Sequence, residues 1–153
     1  MFGDYARSED NKVKCLSKWL KDKEEKIQEI ISKLAEESDK GKLIIVEGKK
    51  DEQVLRELGV NGPIFKLKTC GKSFVETTSE IEKLQANEVI LLLDFDRRGI
   101  EGTQRLKEDL EHARIKANTQ LWQDLRHTVN REIHCIESLA SYLHTLQTQL
   151  GNS

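Results

Sequence analysis

The sequence has a single proline, Pro63, and no Pro- or Ser-rich stretch, so nothing in its 153 residues reads as a linker between two domains. Its longest apolar runs, at 43–46 and 89–93, are far shorter than the roughly 20 residues a membrane-crossing helix needs, and no secretory apolar segment follows Met1. These absences predict a cytoplasmic protein with no membrane association. The three cysteines, Cys15, Cys70 and Cys135, form an odd set without a C-x-x-C pair, which argues against a disulfide framework and a zinc knuckle. Aromatic residues are only 5% of the chain, and Trp19, Phe74 and Trp122 are read as core side chains rather than base-stacking platforms. With a net charge of -2 there is no global basic signature, so any affinity for a polyanion must come from a local patch.

What is present is the composition of one globular domain, 37% hydrophobic and 34% charged. Val13, Leu16, Leu20, Ile27, Ile30 and Leu34 recur at three- and four-residue steps, which predicts an amphipathic helix over 13–34. That helix either seals one face of the domain or forms a short coiled-coil contact with a partner, and Lys23 on its seam weighs against the second. Strands are then predicted at 43–46, 64–67, 89–93 and 115–119, alternating with helices at 51–58, 75–84, 100–112 and 122–129. A last amphipathic helix is marked by Ile133, Ile136, Leu139, Ala140, Leu143 and Leu146. Repeated βαβ units call for an α/β fold with a parallel sheet and helices on both faces. The expected organisation is an N-terminal helix within 1–41, a core over 42–120 and a helical extension over 121–153.

Open parallel sheets bind ligands beyond the carboxyl ends of their strands. The first strand runs into Glu47-Gly48-Lys49-Lys50-Asp51 and the third into Asp94-Phe95-Asp96-Arg97-Arg98-Gly99. If these strands are neighbours, in the order 2-1-3-4, Glu47, Asp94 and Asp96 converge. Two unit charges 4 Å apart repel by about 4 kcal/mol at an effective dielectric near 20, and a cation removes that penalty. Oxygen ligands without nearby imidazole or thiolate favour Mg2+, with Mn2+ as a substitute, over zinc. In an extended strand Asp94 and Asp96 would point to one side. Gly48 and Gly99 are expected where backbone turns sharply or approaches closely. Lys49, Lys50, Lys72, Arg97 and Arg98 occupy the same rim and are candidate phosphate contacts. Asp51 reads as a helix cap, and His112, His127, His134 and His144 lie off the site.

The run E-G-K-K-D after LIIV, a T-x-G loop at Thr69 and Gly71, and L-L-L-D-F-D-R-R-G together resemble the Toprim domain of topoisomerases, bacterial-type primases and several nucleases, over about residues 42–119. The likeness is greatest to small stand-alone Toprim proteins of archaea and some bacteria. It implies a Rossmann-like four-stranded parallel sheet, Glu47 as general acid or base, and Asp94 with Asp96 as a metal-binding pair. It further implies a nucleic-acid partner and either an Mg2+-dependent nuclease or RNA-processing role, or a non-catalytic binding or adaptor module. Many relatives carry a glutamate directly after the glycine that follows D-x-D, where this chain has Ile100, with Glu101 one step away. Topoisomerase action fits poorly, since Tyr5 and Tyr142 lie in terminal segments, and priming modules are missing at this length. Gly71-Lys72-Ser73 imitates a phosphate-binding loop, but Lys66 stands where its first glycine belongs. Haloacid-type phosphatases also place D-x-D after a strand, but they carry Thr or Val at the position of Arg98. The terminal helices are candidate surfaces for a protein partner or homodimer.

Overall fold

The computed structural model describes residues 2–68 and 74–151, the side chains of residues 2–10 and of Phe74 excepted. Strand β1 (Leu43–Val46) is buried at every position, as a continuous Leu-Ile-Ile-Val run requires in a sheet covered on both faces. It lies between β2 (Ile64–Lys66) and β3 (Glu88–Leu91), and β4 (Lys116–Asn118) pairs with the far side of β3. All pairings are parallel, as the alternation of elements predicts, with Ile44 facing Ile64 on one side and Ile90 on the other, so the order is 2-1-3-4 and the first and third strands are neighbours.

Successive strand residues feed two separate cores because side chains alternate across the sheet. Ile44, Val46, Ile90 and Leu92 pack with α1 (Phe2–Asp39), α2 (Lys49–Glu57), α5 (Gln120–Val129) and α6 (Leu139–Gly151). Leu43, Ile45, Val89, Leu91 and Leu93 pack with α3 (Phe74–Lys83) and α4 (Arg97–His112). The chain therefore changes faces after β2, and the carboxyl ends of β1 and β3 border the resulting switch point.

Helix α1 extends well beyond the predicted 13–34, aided by exposed pairs such as Lys33 to Glu29, 3.2 Å apart. Its second half buries Ile27, Ile30 and Leu34, and the helix packs on α5 and α6. Its first half does not: Trp19 is 51% exposed, which corrects its reading as a core residue, whereas Trp122 is buried. Phe74 and Cys70 lie outside the described side chains. The seam position Lys23 turns into its own chain, with Nζ 2.6 Å from Glu132 Oε1 and 4.3 Å above the Trp19 ring. Tyr142 donates its hydroxyl to Glu132 Oε2 at 2.7 Å, which joins α1, α6 and the loop before the 3-10 turn at Ile136–Ser138. Burial and that carboxylate together push the Tyr142 hydroxyl to a higher pKa. None of the described helices is long and apolar enough to cross a membrane.

Candidate functional site

Glu47 and Asp94 meet at the switch point. Glu47 directly follows β1, and its Oε2 accepts the backbone N–H of Asp94 at 3.2 Å. The strand ends are thus locked side by side by the acid itself. Asp94 Oδ1 is buried and has no hydrogen-bond partner among the described residues. Burial, then the adjacent Glu47 carboxylate, then Asp51 and Asp96 push the Asp94 carboxyl up to about 8. An ordinary carboxylate would be ionised far below that, so the cluster lacks positive charge.

Asp96 behaves differently from the expectation for an extended D-x-D. Strand β3 ends at Leu91, although the Leu92 N–H still reaches Ile45 O at 2.8 Å. By Asp96 the chain has entered a helix start, and its Oδ1 accepts the Gly99 N–H at 2.7 Å as the N-cap of α4. The first turn of a helix leaves such N–H groups without internal partners, and an aspartate there satisfies one of them. The alternation that would aim Asp94 and Asp96 together therefore does not apply. Among the described residues, no three Asp, Glu, His or Cys side chains converge as they stand in an ion-holding group.

Asp51 is a cap in two directions. Its Oδ2 accepts the Gly48 N–H at 3.0 Å and its Oδ1 accepts the Glu137 N–H at 2.9 Å, so it ties the start of α2 to the C-terminal extension. Burial raises its pKa against the lowering effect of those two amides. Gly48 itself has extended backbone, with φ -148° and ψ 179°. A Cβ there would meet only ordinary contacts, such as Lys68 Cδ at 3.7 Å, so the sharp turn expected at this glycine is absent. Gly99 is a different case. A Cβ on Gly99 would lie 2.6 Å from the Asp94 carbonyl carbon and closer still to its oxygen, so only glycine lets α4 begin against the acidic loop.

Two pairs of basic residues cap the same edge. Lys49 and Lys50 open α2, and Arg97 and Arg98 open α4, all exposed. Arg97 Nε lies 3.1 Å from Glu101 Oε1, so Glu101 faces solvent beside its own helix and does not replace the missing acid at Ile100. Ile100 packs against the apolar core. Lys72, Thr69 and Gly71 lie outside the described residues. Lys68, which no motif singled out, belongs to this rim: its N–H donates to Glu47 O at 2.8 Å. The pairing of β1 with β2 continues past the strand ends and could have flagged it.

The C-terminal extension holds the acidic loop from behind. Trp122 donates its indole N–H to Leu93 O at 2.8 Å, and Phe95 N–H donates to His134 O at 2.7 Å. Phe95 and Trp122 pack with ring centroids 6.2 Å apart. Both backbone neighbours of Asp94 are therefore anchored by residues from α5 and the segment after it.

The donor set fits a hard divalent cation. It offers carboxylate oxygens, one of them buried and unpartnered among the described residues, in a cluster where burial and then the neighbouring carboxylates keep a proton on Asp94. The sign of the resulting pH effect is fixed by Asp94 holding its proton up to about pH 8 when folded and only to about pH 4 when unfolded. In metal-free protein the stability that this proton contributes is expected to be full below about pH 4 and to be lost steadily from there to pH 8, levelling above it. Melting curves across that range in chelator test this, and an optimum at pH 8 would contradict it. A divalent ion must displace that proton, so its affinity should rise up to about tenfold per pH unit over the same window.

Residues 42–130 match the Toprim domain. A UPF0292 protein of Methanosarcina acetivorans is 39% identical over 129 residues, spanning 84% of this chain and 88% of that relative. A UPF0292 protein of Methanocaldococcus jannaschii is 38% identical over 119 residues, spanning 78% and 91%. The solved structure of a protein from Aquifex aeolicus superposes with a TM-score of 0.58 at 27% identity, over 72% of this chain and 94% of that one. Toprim domains generally bind divalent metal ions and engage nucleic acid. With its 2-1-3-4 parallel sheet and its acids at the switch point, the chain belongs to the Toprim domain family, and its relatives are small archaeal UPF0292 proteins.

Proposed function

We propose that this protein acts on nucleic-acid phosphodiester bonds with Mg2+ as its ion, as a nuclease or RNA-processing factor. The observation that carries the reading is the Glu47–Asp94 pair at the switch point, with an unpartnered buried oxygen on Asp94. Glu47 and Asp94 would hold the ion, and Asp96 would join them on leaving its cap. An N-cap contributes only about 1 kcal/mol, less than the several kcal/mol that a nearby opposite charge offers a carboxylate. When bound, the ion neutralises phosphate charge and orients the reacting phosphoryl group.

The chain's own residues supply the remainder. Glu47 is placed to take or return a proton at the reacting oxygen, being anchored through one carboxylate oxygen to the Asp94 N–H. The starts of α2 and α4 direct their positive dipole ends toward this edge, with Lys49, Lys50, Arg97 and Arg98 on their first turns. Lys72 belongs to the same proposal by its place in the sequence. An anion-attracting rim around a cation-attracting pair is what a metal–phosphate complex requires.

A second reading, a metal-dependent binding or adaptor module without catalysis, is favoured by Ile100 in place of an acid and by the capping posture of Asp96. Glu47→Gln separates the two. If the first reading holds, this variant loses at least about 100-fold of Mg2+-dependent cleavage on mixed RNA and DNA substrates, as expected for a lost acid–base group, while retaining binding. No cleavage by the unaltered protein with Mg2+ or Mn2+, alongside metal-dependent binding, would leave the adaptor reading.

A further inference from the structure

Next to the acidic pair, at the β4 edge of the sheet, α4 and α5 leave between them a groove of about 1440 Å³. Phe95, Asp96 and Arg97 are among its lining residues, so it reaches the residue that follows Asp94. That volume exceeds the roughly 300–1,000 Å³ of sites built for small molecules and suits an extended ligand.

The charge pattern of its walls identifies the ligand. On other parts of this surface several lysines are matched to glutamates: Lys33 with Glu29, Lys42 with Glu88, Lys66 with Glu52. In the groove, Lys107 of α4 and Arg131 of the turn after α5 form no ion pair among the described residues. Arg126 of α5 lies over the Trp122 ring, 5.7 Å from its centroid, and likewise lacks a carboxylate partner among the described residues. Of the lining acids, Glu101 is paired with Arg97, while Asp124 accepts from Gln120 at 2.9 Å and Asp96 from the Gly99 N–H, so the four lining cations, Arg97, Lys107, Arg126 and Arg131, outnumber the three acids by one. Arg131 also sits at φ 86°, a left-handed conformation in which a residue other than glycine costs about 1 kcal/mol or more. Glycine would hold that turn more easily, yet an arginine presents its charge there.

We propose that this groove is the track along which a single strand of nucleic acid is held by its phosphates, through Lys107, Arg126 and Arg131, and led to the Glu47–Asp94 pair. The proposal rests on the nucleic-acid reading above and names the form of the substrate. Cations on both walls enclose one chain, whereas a duplex is a broad rod that would rest on the rim. The indole and phenyl rings that line the groove offer no free face for base stacking, because Trp122 and Phe95 are buried and the Trp122 N–H is engaged by Leu93 O. Recognition is therefore of the backbone, strongly salt-dependent and indifferent to base sequence.

The test is fluorescence anisotropy in chelator, with a labelled oligothymidine, its RNA counterpart and a duplex of equal length, over a range of salt. The unaltered chain is expected to favour both single strands over the duplex. The triple variant Lys107→Gln/Arg126→Gln/Arg131→Gly should bind them about 20-fold more weakly, with a log–log salt slope shallower by about 2. Arg131→Gly alone should weaken binding without lowering Tm, which a purely structural role for this arginine would not produce. The proposal is overturned if the triple variant, folded by circular dichroism, binds single strands as tightly as the unaltered chain, or if the duplex is preferred. If the unaltered chain binds none of the three probes, the nucleic-acid reading itself falls, a different result from retained binding in the variant.

Discussion

Asp94→Asn is expected to make the metal-free protein more stable at pH 8 while removing its affinity for divalent ions. Asparagine has the shape of the protonated acid, and the Asp94 carboxyl, pushed up to about 8, ionises in the folded chain only against Glu47, Asp51 and Asp96. Removing that charge relieves the repulsion. The gain should be a few degrees in Tm at pH 8, at roughly 2–4 °C per kcal/mol for a chain of this size, and should shrink steadily as the pH falls, vanishing only near pH 4, where Asp94 is protonated in the folded and the unfolded chain alike. Partial exposure of the group limits the effect, since solvent screens part of the repulsion. Metal affinity should fall about 100-fold or more, because even outer partners of metal ligands cost 10–100-fold when lost. Calorimetric titration with Mn2+ and Mg2+, with melting curves at both pH values, reads both effects. An Asn variant that is less stable at pH 8 would show that Asp94 serves the fold rather than an ion, and the proposed function would lose its basis.

Gly99→Ala should be the most damaging single-methyl change in the site, at about 3 kcal/mol and on the order of 10 °C in Tm, because the atoms in its way are backbone and cannot rotate aside. The added Cβ would meet the Asp94 carbonyl, so either α4 retreats or the acidic loop moves, and metal affinity should fall with stability. Gly48→Ala is the internal control. Its extended backbone accepts any residue and its surroundings leave room, so it should cost less than about 1 kcal/mol. Equal losses in the two variants, measured by thermal and denaturant unfolding, would refute the distinction. The two glycines look alike in the sequence, each beside an acid at a strand end, and only the approach of α4 to Asp94 separates them.

The two proposals bear on each other through the C-terminal extension. Trp122, whose indole N–H holds Leu93 O, also lies beneath Arg126 in the groove. One aromatic side chain thus supports both the loop that carries Asp94 and a wall of the proposed track.

How much of this was legible beforehand follows from the range of each interaction. Alternation of apolar runs with amphipathic segments was enough for the parallel sheet and for the placing of Glu47 and Asp94 at strand ends, because strand burial is written locally in residue periodicity; the 2-1-3-4 order that makes those ends neighbours was an expectation with a condition attached, which the fold meets. The posture of Asp96 was not legible: a carboxylate at that point can serve an ion or a helix start, and where β3 stops decides which. Nor was the clamp on the acidic loop, since Asp51 to Glu137 spans 86 positions and Trp122 to Leu93 spans 29, and no pattern within a helix or strand encodes a hydrogen bond across such distances. The sequence by itself determined which side chains stand at the carboxyl edge of the sheet. Packing of α4, α5 and the C-terminal segment around that edge decided which of them face each other, because only in the folded chain do groups far apart in sequence compete for the same few ångströms.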